Sequence, residues 1–350
     1  MFALRSWQVL RSAALLSAVG WSQTAPQVAP VPSDPLELAT SAPQTVNTPD
    51  ARAALLALLE RARQNFIVNP NVSPPYTLKV SLTAAGPVQF TGAGDMVETR
   101  LRTQTRWSAH LGTYSLTRVF AGPAFDTGSG GPIPIRLQMV RSAIIWPVHN
   151  ATAAAAMRST NATWNGKSVT CLLLFGGATT VPGRDWRETE YCIDPQSGLL
   201  QTYSEAPGIY TVYDYGNATQ FHGRVLPGQF TISEAGSVVL QATVSIQDPA
   251  ADEPAFIPPT PQMLAPGLTL VPPTNMFQPA GMGQLNTPAQ GGIHPVVVHA
   301  TVMQDGHVAE AEALQTSDPA RSQAAVNLVK NSTYRAEKSV VQREIFFRVQ

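Results

Sequence analysis

Hydrophobic residues near position 50 recur at the spacing of an α-helix. Leu55, Leu59 and Ala62 lie three or four residues apart, which places them on one helical face. The Thr-Pro-Asp sequence at 48–50 supplies an N-cap, a proline at the first helical position and an acid in the first turn. These signals predict an amphipathic helix over residues 49–66.

The hydrophobic period becomes 2 after two prolines at 74 and 75. Tyr76, Leu78 and Val80 alternate with polar residues, as in a half-buried strand. Further strand candidates are 94–103, 105–111, 113–120, 168–175, 187–193, 199–204, 209–215, 228–234 and 237–247. In the last one, the pattern places Val238 on the same face as Leu240. The chain is therefore predicted to form many neighbouring antiparallel strands.

A second helix is predicted within this run of strands. Leu137, Val140 and Ile144 fit helical spacing, and Pro147 ends the pattern. A short alanine-rich turn, capped by Asn150, is predicted to follow and to extend through Met157. Helical pieces within a long series of antiparallel strands predict an α+β domain over residues 48–248, in which a curved antiparallel sheet wraps around the helices.

A proline-rich stretch follows the sheet domain. Residues 249–288 contain ten prolines in forty positions and show no hydrophobic alternation. We predict an extended linker that few contacts cross.

The last segment, 289–350, has the pattern of a small strand–strand–helix–strand domain. Val298 and Ala300 belong to an alternating run, and Asp305-Gly306 is a strong hairpin signal. A helix is predicted after Pro319. The final strand should turn Phe347 towards that helix and leave Phe346 on the opposite face, where it would tolerate substitution unless a partner covers it.

The N-terminus has the features of a secretory signal. Arg5 and Arg11 accompany an apolar run at 12–20, about half of the roughly 20 residues that a transmembrane helix needs. We predict a cleaved signal peptide over 1–20, with an uncleaved anchor as the alternative. Residues 21–47 are rich in Pro, Ala, Gln and Thr and are predicted to be a disordered lead-in. The protein is accordingly expected to be periplasmic or otherwise exported.

Cys171 and Cys192 are the two cysteines of the chain. They lie in neighbouring strand candidates, so a hairpin could place the two sulfur atoms opposite each other. An oxidising compartment would make them a structural disulfide. Two free buried thiols are the alternative, because the sequence alone does not establish the pairing.

Composition and motifs favour binding over catalysis. Charged residues make up 13% of the chain and the formal net charge is zero, which argues against a nucleic-acid partner. Asp126 lies in an Asp-Thr-Gly-Ser sequence like that of aspartic proteases, but the second such motif is missing and Gly-rich sequence follows, which predicts a loop. Glu188 and Glu190 would share one face of a strand and are expected on a solvated edge, not in a paired-carboxylate site. The six histidines show no metal-ligand spacing. We therefore expect no catalytic residue, no metal and no cofactor.

The C-terminal segment, about 293–350, resembles the C-terminal domain of TonB-type proteins. The matching parts are the hairpin at 302–308, the segments 311–314 and 316–319, the helix at 324–330 and the closing strand at 344–349. The resemblance implies a domain that binds a protein partner, such as an outer-membrane receptor, by adding a strand to a sheet edge. It assigns that docking to the final strand and its residues Val340, Gln342, Glu344, Phe346 and Arg348.

The larger region, about 48–248, is similar to the LolA-like half-barrel proteins of the bacterial envelope. The similarity is carried by the helix at 49–66, the strand at 76–82 and the turn Ile-Asp-Pro-Gln-Ser-Gly-Leu at 193–199. It implies an open antiparallel sheet around an apolar groove. Two hypotheses follow: a non-catalytic envelope protein that docks a protein partner in outer-membrane receptor transport, and a periplasmic carrier of lipids or lipoproteins.

Overall fold

A computed structural model describes most of the chain beyond residue 42. The described residues are 43–66, 74–101, 104–120, 124–128, 131–145, 147–148, 156–175, 184–250, 256, 268–271, 281–285, 296–315, 319–337 and 341–349. The predicted signal peptide at 1–20 and most of the predicted lead-in lie outside them. Within these ranges, no helix is long and apolar enough to cross a membrane.

Three helices and twenty strands form in these ranges. The helices are α1 (Pro49–Gln64), α2 (Ile135–Ile145) and α3 (Pro319–Asn331). The strands up to the middle of the chain are β1 (Gln44–Thr45), β2 (Tyr76–Ala84), β3 (Gly92–Arg100), β4 (Thr105–Leu111), β5 (Tyr114–Phe120), β6 (Ala124–Gly128), β7 (Ala156–Trp164), β8 (Lys167–Phe175), β9 (Thr189–Ile193) and β10 (Leu200–Ser204). The others are β11 (Ile209–Asp214), β12 (Thr219–Phe221), β13 (Arg224–Leu226), β14 (Gln229–Glu234), β15 (Ser237–Gln247), β16 (Leu268–Val271), β17 (Gly281–Leu285), β18 (Val296–Met303), β19 (Val308–Gln315) and β20 (Gln342–Val349).

Fourteen of these strands form one antiparallel sheet, here called the large sheet. Its order is β1-β7-β8-β9-β10-β11-β14-β15-β2-β3-β4-β5-β6-β16. Most neighbours are also consecutive in sequence, which is typical of antiparallel meanders joined by short turns. The mostly antiparallel architecture with few helices was expected from the period-2 pattern.

One face of the large sheet, here called the inner face, carries the main core. Leu78, Val80 and Leu82 of β2 alternate with exposed residues, and Ala242 and Val244 of β15 lie opposite them on the same face. Buried residues of α1 and α2 belong to the same apolar cluster. The inner face is therefore covered by helices, as a sheet with one apolar face requires.

The first helix begins and ends close to its predicted bounds. Pro49 occupies the first turn and Asp50 lies beside it, as the sequence indicated. Thr48 holds the N-cap position in an extended conformation, but its side chain makes no capping hydrogen bond. Leu58, Leu59 and other apolar residues of one face are buried, so packing stabilises this helix more than its cap does.

Strand β15 corrects one predicted register. A bulge between Ile232 and Ser233 of β14 shifts the pairing at the start of β15. Val239 is consequently buried together with Leu240, while Val238 is half exposed, at 50%. The extra residue of a bulge reverses the alternation on one side of it, so the prediction for Val238 was wrong.

Two segments predicted as turns or loops are strands. Asp126 lies in β6, where its carboxylate accepts two hydrogen bonds of 2.6 Å from the guanidinium of Arg118 on β5. The Asp-Thr-Gly-Ser sequence is therefore not a flexible loop at Asp126, and its carboxylate belongs to a largely buried ion pair. Residues 156–164, where an alanine-rich turn was expected to reach Met157, form the nine-residue strand β7.

The predicted linker and lead-in also contribute strands. Within 249–288, β16 extends the large sheet beside β6, and β17 pairs in parallel with β20. Within 21–47, the two residues of β1 pair with β7. Short strands of this kind lack hydrophobic alternation, so the proline-rich sequence did not predict them. Because of them, contacts do cross the stretch that was predicted to be a linker.

The C-terminal segment forms a separate four-stranded sheet, here called the small sheet. Its order is β17-β20-β18-β19, and α3 packs on one of its faces. The predicted strand–strand–helix–strand order is present in β18, β19, α3 and β20. However, β20 lies between β18 and β17 and is not an edge strand over Ile345–Val349.

Candidate functional site

The small sheet has two buried faces. One face, which we call the helix face, packs on α3 and consists of Val296, Val298, Ala300, Val302, Phe347 and Val349 with neighbouring alanines. The opposite face, which we call the junction face, consists of Val297, His299, Thr301, Glu312, Leu314, Gln342, Glu344 and Phe346, all at most 9% exposed. The junction face lies against α2 and the large sheet, because Val297, Leu314 and Phe346 join the main core cluster there.

Side chains of the junction face cap the start of α2. The Gln342 side chain accepts a 2.7 Å hydrogen bond from the Ile133 amide and donates one of 3.0 Å to the Ile133 carbonyl. Glu310 of β19 accepts hydrogen bonds from the amides of Ile135 and Gln89. The first amides of a helix have no partner within the helix, and here the small sheet supplies one.

A buried ionic group, which we call the junction cluster, occupies the centre of the contact. It consists of Arg136, Glu234, His299, Glu312 and Glu344. The guanidinium of Arg136 donates to both oxygens of Glu312 at 2.9 and 2.7 Å and to Glu234 at 2.8 Å. Arg136 comes from α2 and Glu234 from β14, whereas Glu312 comes from β19. Charge-assisted bonds of this kind therefore join the small sheet to the rest of the molecule.

His299 faces the carboxylates of Glu234 and Glu312 from the side opposite Arg136. Its Nε2 is 2.9 Å from Glu344, whose carboxylate also accepts from the Thr301 hydroxyl. Its ring stacks on Phe346 with centroids 4.6 Å apart. The imidazole is thus fixed by one carboxylate and one aromatic ring, with Nδ1 directed towards Glu234 and Glu312 at 4.0 and 3.9 Å.

The cluster strongly perturbs its ionisable groups. Burial lowers the pKa of His299, but the carboxylates of Glu234, Glu344 and Glu312 outweigh burial and raise the pKa to about 10. Burial, together with the carboxylate of Glu234, raises the pKa of Glu312 to about 8. The pKa of Glu234 is lowered, because His299 and Arg136 outweigh its burial. The site therefore favours positive charge between His299 and the two carboxylates.

A small cavity adjoins the cluster. It has a volume of about 30 Å³, which is enough for one or two water molecules. Its walls come from α2, from the inner face at β10, β11 and β14, and from the small sheet. Met139, Ala143, Tyr203, Ile209, Ile232 and Phe346 supply apolar surface, and His299 and Glu344 are among the polar groups. The three parts of the fold thus meet around one cavity.

The predicted docking residues have different surroundings from those expected. Gln342, Glu344 and Phe346 are buried in the junction, so they do not offer a free surface for a partner. Phe346 is 1% exposed, so its side chain is covered and the condition for the predicted tolerance is not met. Arg348 is half-buried, and burial lowers the pKa of its guanidinium. Val340 lies outside the described residues.

The predicted disulfide is present. Cys171 of β8 and Cys192 of β9 are directly opposite each other, with Cα atoms 3.9 Å apart, and are bonded. The two sulfur atoms are therefore not free thiols and are not free to bind a metal ion. Both cysteines are fully buried under β7, where Ala162 and Trp164 pack against them.

Glu188 and Glu190, expected on a solvated strand edge, are buried beside this hairpin. Glu188 pairs with Arg158 at 2.5 Å, and Glu190 pairs with Arg184 at 3.1 Å. Arg184 and Glu188 lie in the segment before β9, so these pairs attach that segment to Arg158 of β7 and to Glu190 of β9. They stabilise that corner and supply no arrangement for acid–base chemistry on a substrate.

Sequence reasoning missed the junction cluster. The alternation of Val298, Ala300 and Val302 indicated only the helix face, and no role was predicted for the residues between them. The available signal was the interleaved set Val297, His299 and Thr301, which is too apolar for a solvated face. Glu234 and Arg136 are distant in sequence, so no local spacing connects them to it.

Known proteins offer few relatives. No family model and no curated protein matches the sequence. Among solved structures, the chain is similar to the crystal structure of a LolA superfamily protein from Nitrosomonas europaea, with 14% identity and a TM-score of 0.33. The match covers 55% of this chain and 90% of that chain. At this identity and TM-score the match carries no argument about function.

Proposed function

We propose that the protein is a non-catalytic binding protein that carries an apolar ligand, such as the acyl chain of a lipid or lipoprotein, on the inner face of the large sheet. The observation that supports this proposal is the way in which the inner face is covered. Its apolar surface packs against α1, α2 and the small sheet, and the last of these is attached mainly through polar groups. With an exported chain, such a carrier would act in the cell envelope.

The size of the cavity requires movement for such binding. Sites for small ligands commonly measure about 300–1,000 Å³, whereas the cavity beside Phe346 measures about 30 Å³. An acyl chain could enter only if the small sheet moved away from α2. The described structure then corresponds to the closed form, in which Phe346 takes the place of the ligand against Met139 and Ile232.

The contacts of the small sheet are suited to this movement. Three of its residues, Val297, Leu314 and Phe346, join the main core. Most other described contacts at the junction are hydrogen bonds and ion pairs, which water can replace when the surfaces separate. A purely apolar contact would lose more free energy on opening.

Photoaffinity labelling tests the proposal directly. The full chain is incubated with a palmitic acid that carries a diazirine, irradiated, digested and analysed by mass spectrometry. We expect labelled peptides from α2 and β20, and competition by unlabelled palmitate. Labels confined to exposed positions such as Ser245, or the lack of any saturable labelling, would contradict the proposal.

A matched pair of variants sharpens this experiment. Ser142→Phe places a ring into the cavity, because Ser142 lies in its wall. Ser245→Phe places the same ring on the exposed face of β15. We expect the first to reduce labelling several-fold and the second to leave it unchanged, and equal labelling of the two variants would contradict the assignment to the cavity.

Docking of a protein partner by strand addition has less structural support. Strand β20 has neighbours on both sides over Ile345–Val349. Among the described strands of the small sheet, β19 and β17 each pair on one side only, with β18 and β20 respectively. Strand addition would therefore use the free edge of β19 or of β17, or displace β17. The residues assigned to it from the sequence would stay buried in the junction.

A further inference from the structure

Two atoms in the junction cluster are buried without a hydrogen-bond partner among the described residues. They are Nδ1 of His299 and Oε1 of Glu234. The side chains of His299 and Glu234 are 3% and 5% exposed. An unsatisfied buried polar atom costs free energy, so two of them aimed at the same point indicate that something else belongs there.

The orientation of His299 makes this point specific. Its Nε2 faces Glu344 at 2.9 Å, so in the neutral imidazole the proton is on Nε2 and the lone pair is on Nδ1, the atom whose proton a bound metal ion would displace. That lone pair faces Oε1 of Glu234 at 4.0 Å and Oε1 of Glu312 at 3.9 Å. These distances are too long for direct hydrogen bonds. Three electron-rich atoms therefore converge around a position that suits a cation.

We propose that Nδ1 of His299, Oε1 of Glu234 and Oε1 of Glu312 form a binding site for one divalent metal ion of the zinc class. The proposal is independent of whether the protein carries an apolar ligand. Imidazole with two carboxylates is a ligand set that zinc and the neighbouring transition metals accept, whereas calcium and magnesium prefer oxygen alone.

The geometry fits such an ion with a small contraction. The possible ligand atoms all lie within 4.8 Å of one another. An ion at their centre would be at most about 2.5 Å from each, compared with about 2.0–2.2 Å in zinc sites. Glu344 supplies the carboxylate that commonly orients a metal-binding histidine through its other nitrogen.

The charges of the cluster also balance with the ion. With the three carboxylates of Glu234, Glu312 and Glu344 ionised and His299 neutral, a dication together with the positive charge of Arg136 makes the group neutral. The ion would take the place of the protons that His299 and Glu312 hold without it. Arg136 already donates to Oε1 of Glu312 at 2.9 Å. A carboxylate oxygen has a second lone pair for a metal, and the guanidinium would hold the carboxylate in position.

The site would connect the two sheets. Glu234 belongs to β14 of the large sheet, and His299 and Glu312 belong to β18 and β19 of the small sheet. Metal binding would therefore hold the small sheet against α2 and stabilise the closed arrangement, since a ligand that binds only the folded, closed form stabilises it.

The test uses the untagged full chain and two metal ions, Zn²⁺ and Co²⁺. We expect one Zn²⁺ per chain by elemental analysis after desalting, an increase in Tm on addition of Zn²⁺, and visible absorption from bound Co²⁺. Folded wild-type protein that retains no metal would overturn the proposal and leave a proton or a water molecule at this position.

Variants separate this site from adventitious binding. His299→Ala should abolish stoichiometric binding, whereas His222→Ala should retain it, since His222 is half exposed and pairs with Asp248 at the surface. Glu344→Gln keeps all three ligands and should weaken binding about 10–100-fold. If His299→Ala does not fold, the Glu344→Gln variant provides the test. An unchanged metal affinity of Glu344→Gln would overturn the assignment, and so would loss of metal from His222→Ala.

Discussion

The two faces of the small sheet differ in chemistry although both are buried. The helix face is almost entirely aliphatic and aromatic, and it packs on α3 of the same segment. The junction face carries His299, Glu312 and Glu344 and packs on another part of the chain. The helix face could form a core within residues 296–349. The junction face is stable only where Arg136 and Glu234 meet it, because buried charges are costly unless they are paired.

This difference indicates separate roles for the two faces. The helix face gives the small sheet its internal stability. The junction face determines where the small sheet docks, since charged groups require particular partners and apolar groups accept many. A change on the helix face should therefore unfold the small sheet, and a change on the junction face should release it.

The largest effect is expected from Arg136→Ala. The change removes the partner of two buried carboxylates, and breaking a buried ion pair typically costs about 3–5 kcal/mol. We expect the free energy of unfolding, measured with denaturant, to fall by an amount near the upper end of that range. We also expect faster proteolysis between residues 285 and 296. Lys79→Ala on an exposed position of β2 is the control and should change stability by less than about 0.5 kcal/mol. A similar stability of both variants would show that the junction is not formed in solution.

Phe347→Ala should have the next largest effect and should act on the helix face alone. Phe347 is 3% exposed and contacts Tyr334, with ring centroids 4.7 Å apart. Loss of a buried Phe side chain costs about 3–5 kcal/mol. Hydrogen exchange should show lost protection in β18, β20 and α3, with β2 and β15 unchanged. Uniform loss of protection across both sheets would contradict separate roles for the two faces.

Phe346→Ala is expected to cost less, about 2–3 kcal/mol, because the space it leaves opens into an existing cavity and can take up water. The expected pattern is also different. Contacts with Met139 and Ile232 should be lost while α3 keeps its protection in hydrogen exchange. Equal effects of Phe346→Ala and Phe347→Ala on α3 would show that the small sheet and the junction unfold as one unit.

Glu310→Ala should have the smallest effect. Its carboxylate accepts hydrogen bonds from the amides of Ile135 and Gln89 at 3.0 and 3.2 Å. Solvent can partly replace it, so we expect a cost of about 1 kcal/mol. Glu310→Gln retains an acceptor and should recover most of this loss. If Glu310→Ala exceeds Phe346→Ala in cost, capping of α2 contributes more to docking than the apolar contact does.

Local patterns predicted much of the fold. Spacing within one segment was enough to predict the helix that begins after Thr48, the strands with clear alternation and the order of elements in the small sheet. Facing cysteines predicted the disulfide, because a hairpin places Cys171 opposite Cys192. Segments without alternation, such as β7, β16 and β17, were missed since a short strand beside an existing sheet gains its hydrogen bonds from the neighbour and needs no pattern of its own.

The sequence by itself determined that Phe346 and Phe347 lie on opposite faces of β20, because side chains alternate along any strand. It also determined that Phe347 faces α3, through the apolar residues that share its period. Only the tertiary structure decided what covers Phe346 and where the junction cluster forms. Arg136, Glu234 and His299 are brought together across 163 positions of the chain, from Arg136 to His299, and their attraction exists only after the sheets have folded. Contacts between distant segments depend on the whole arrangement, so no local pattern encodes them.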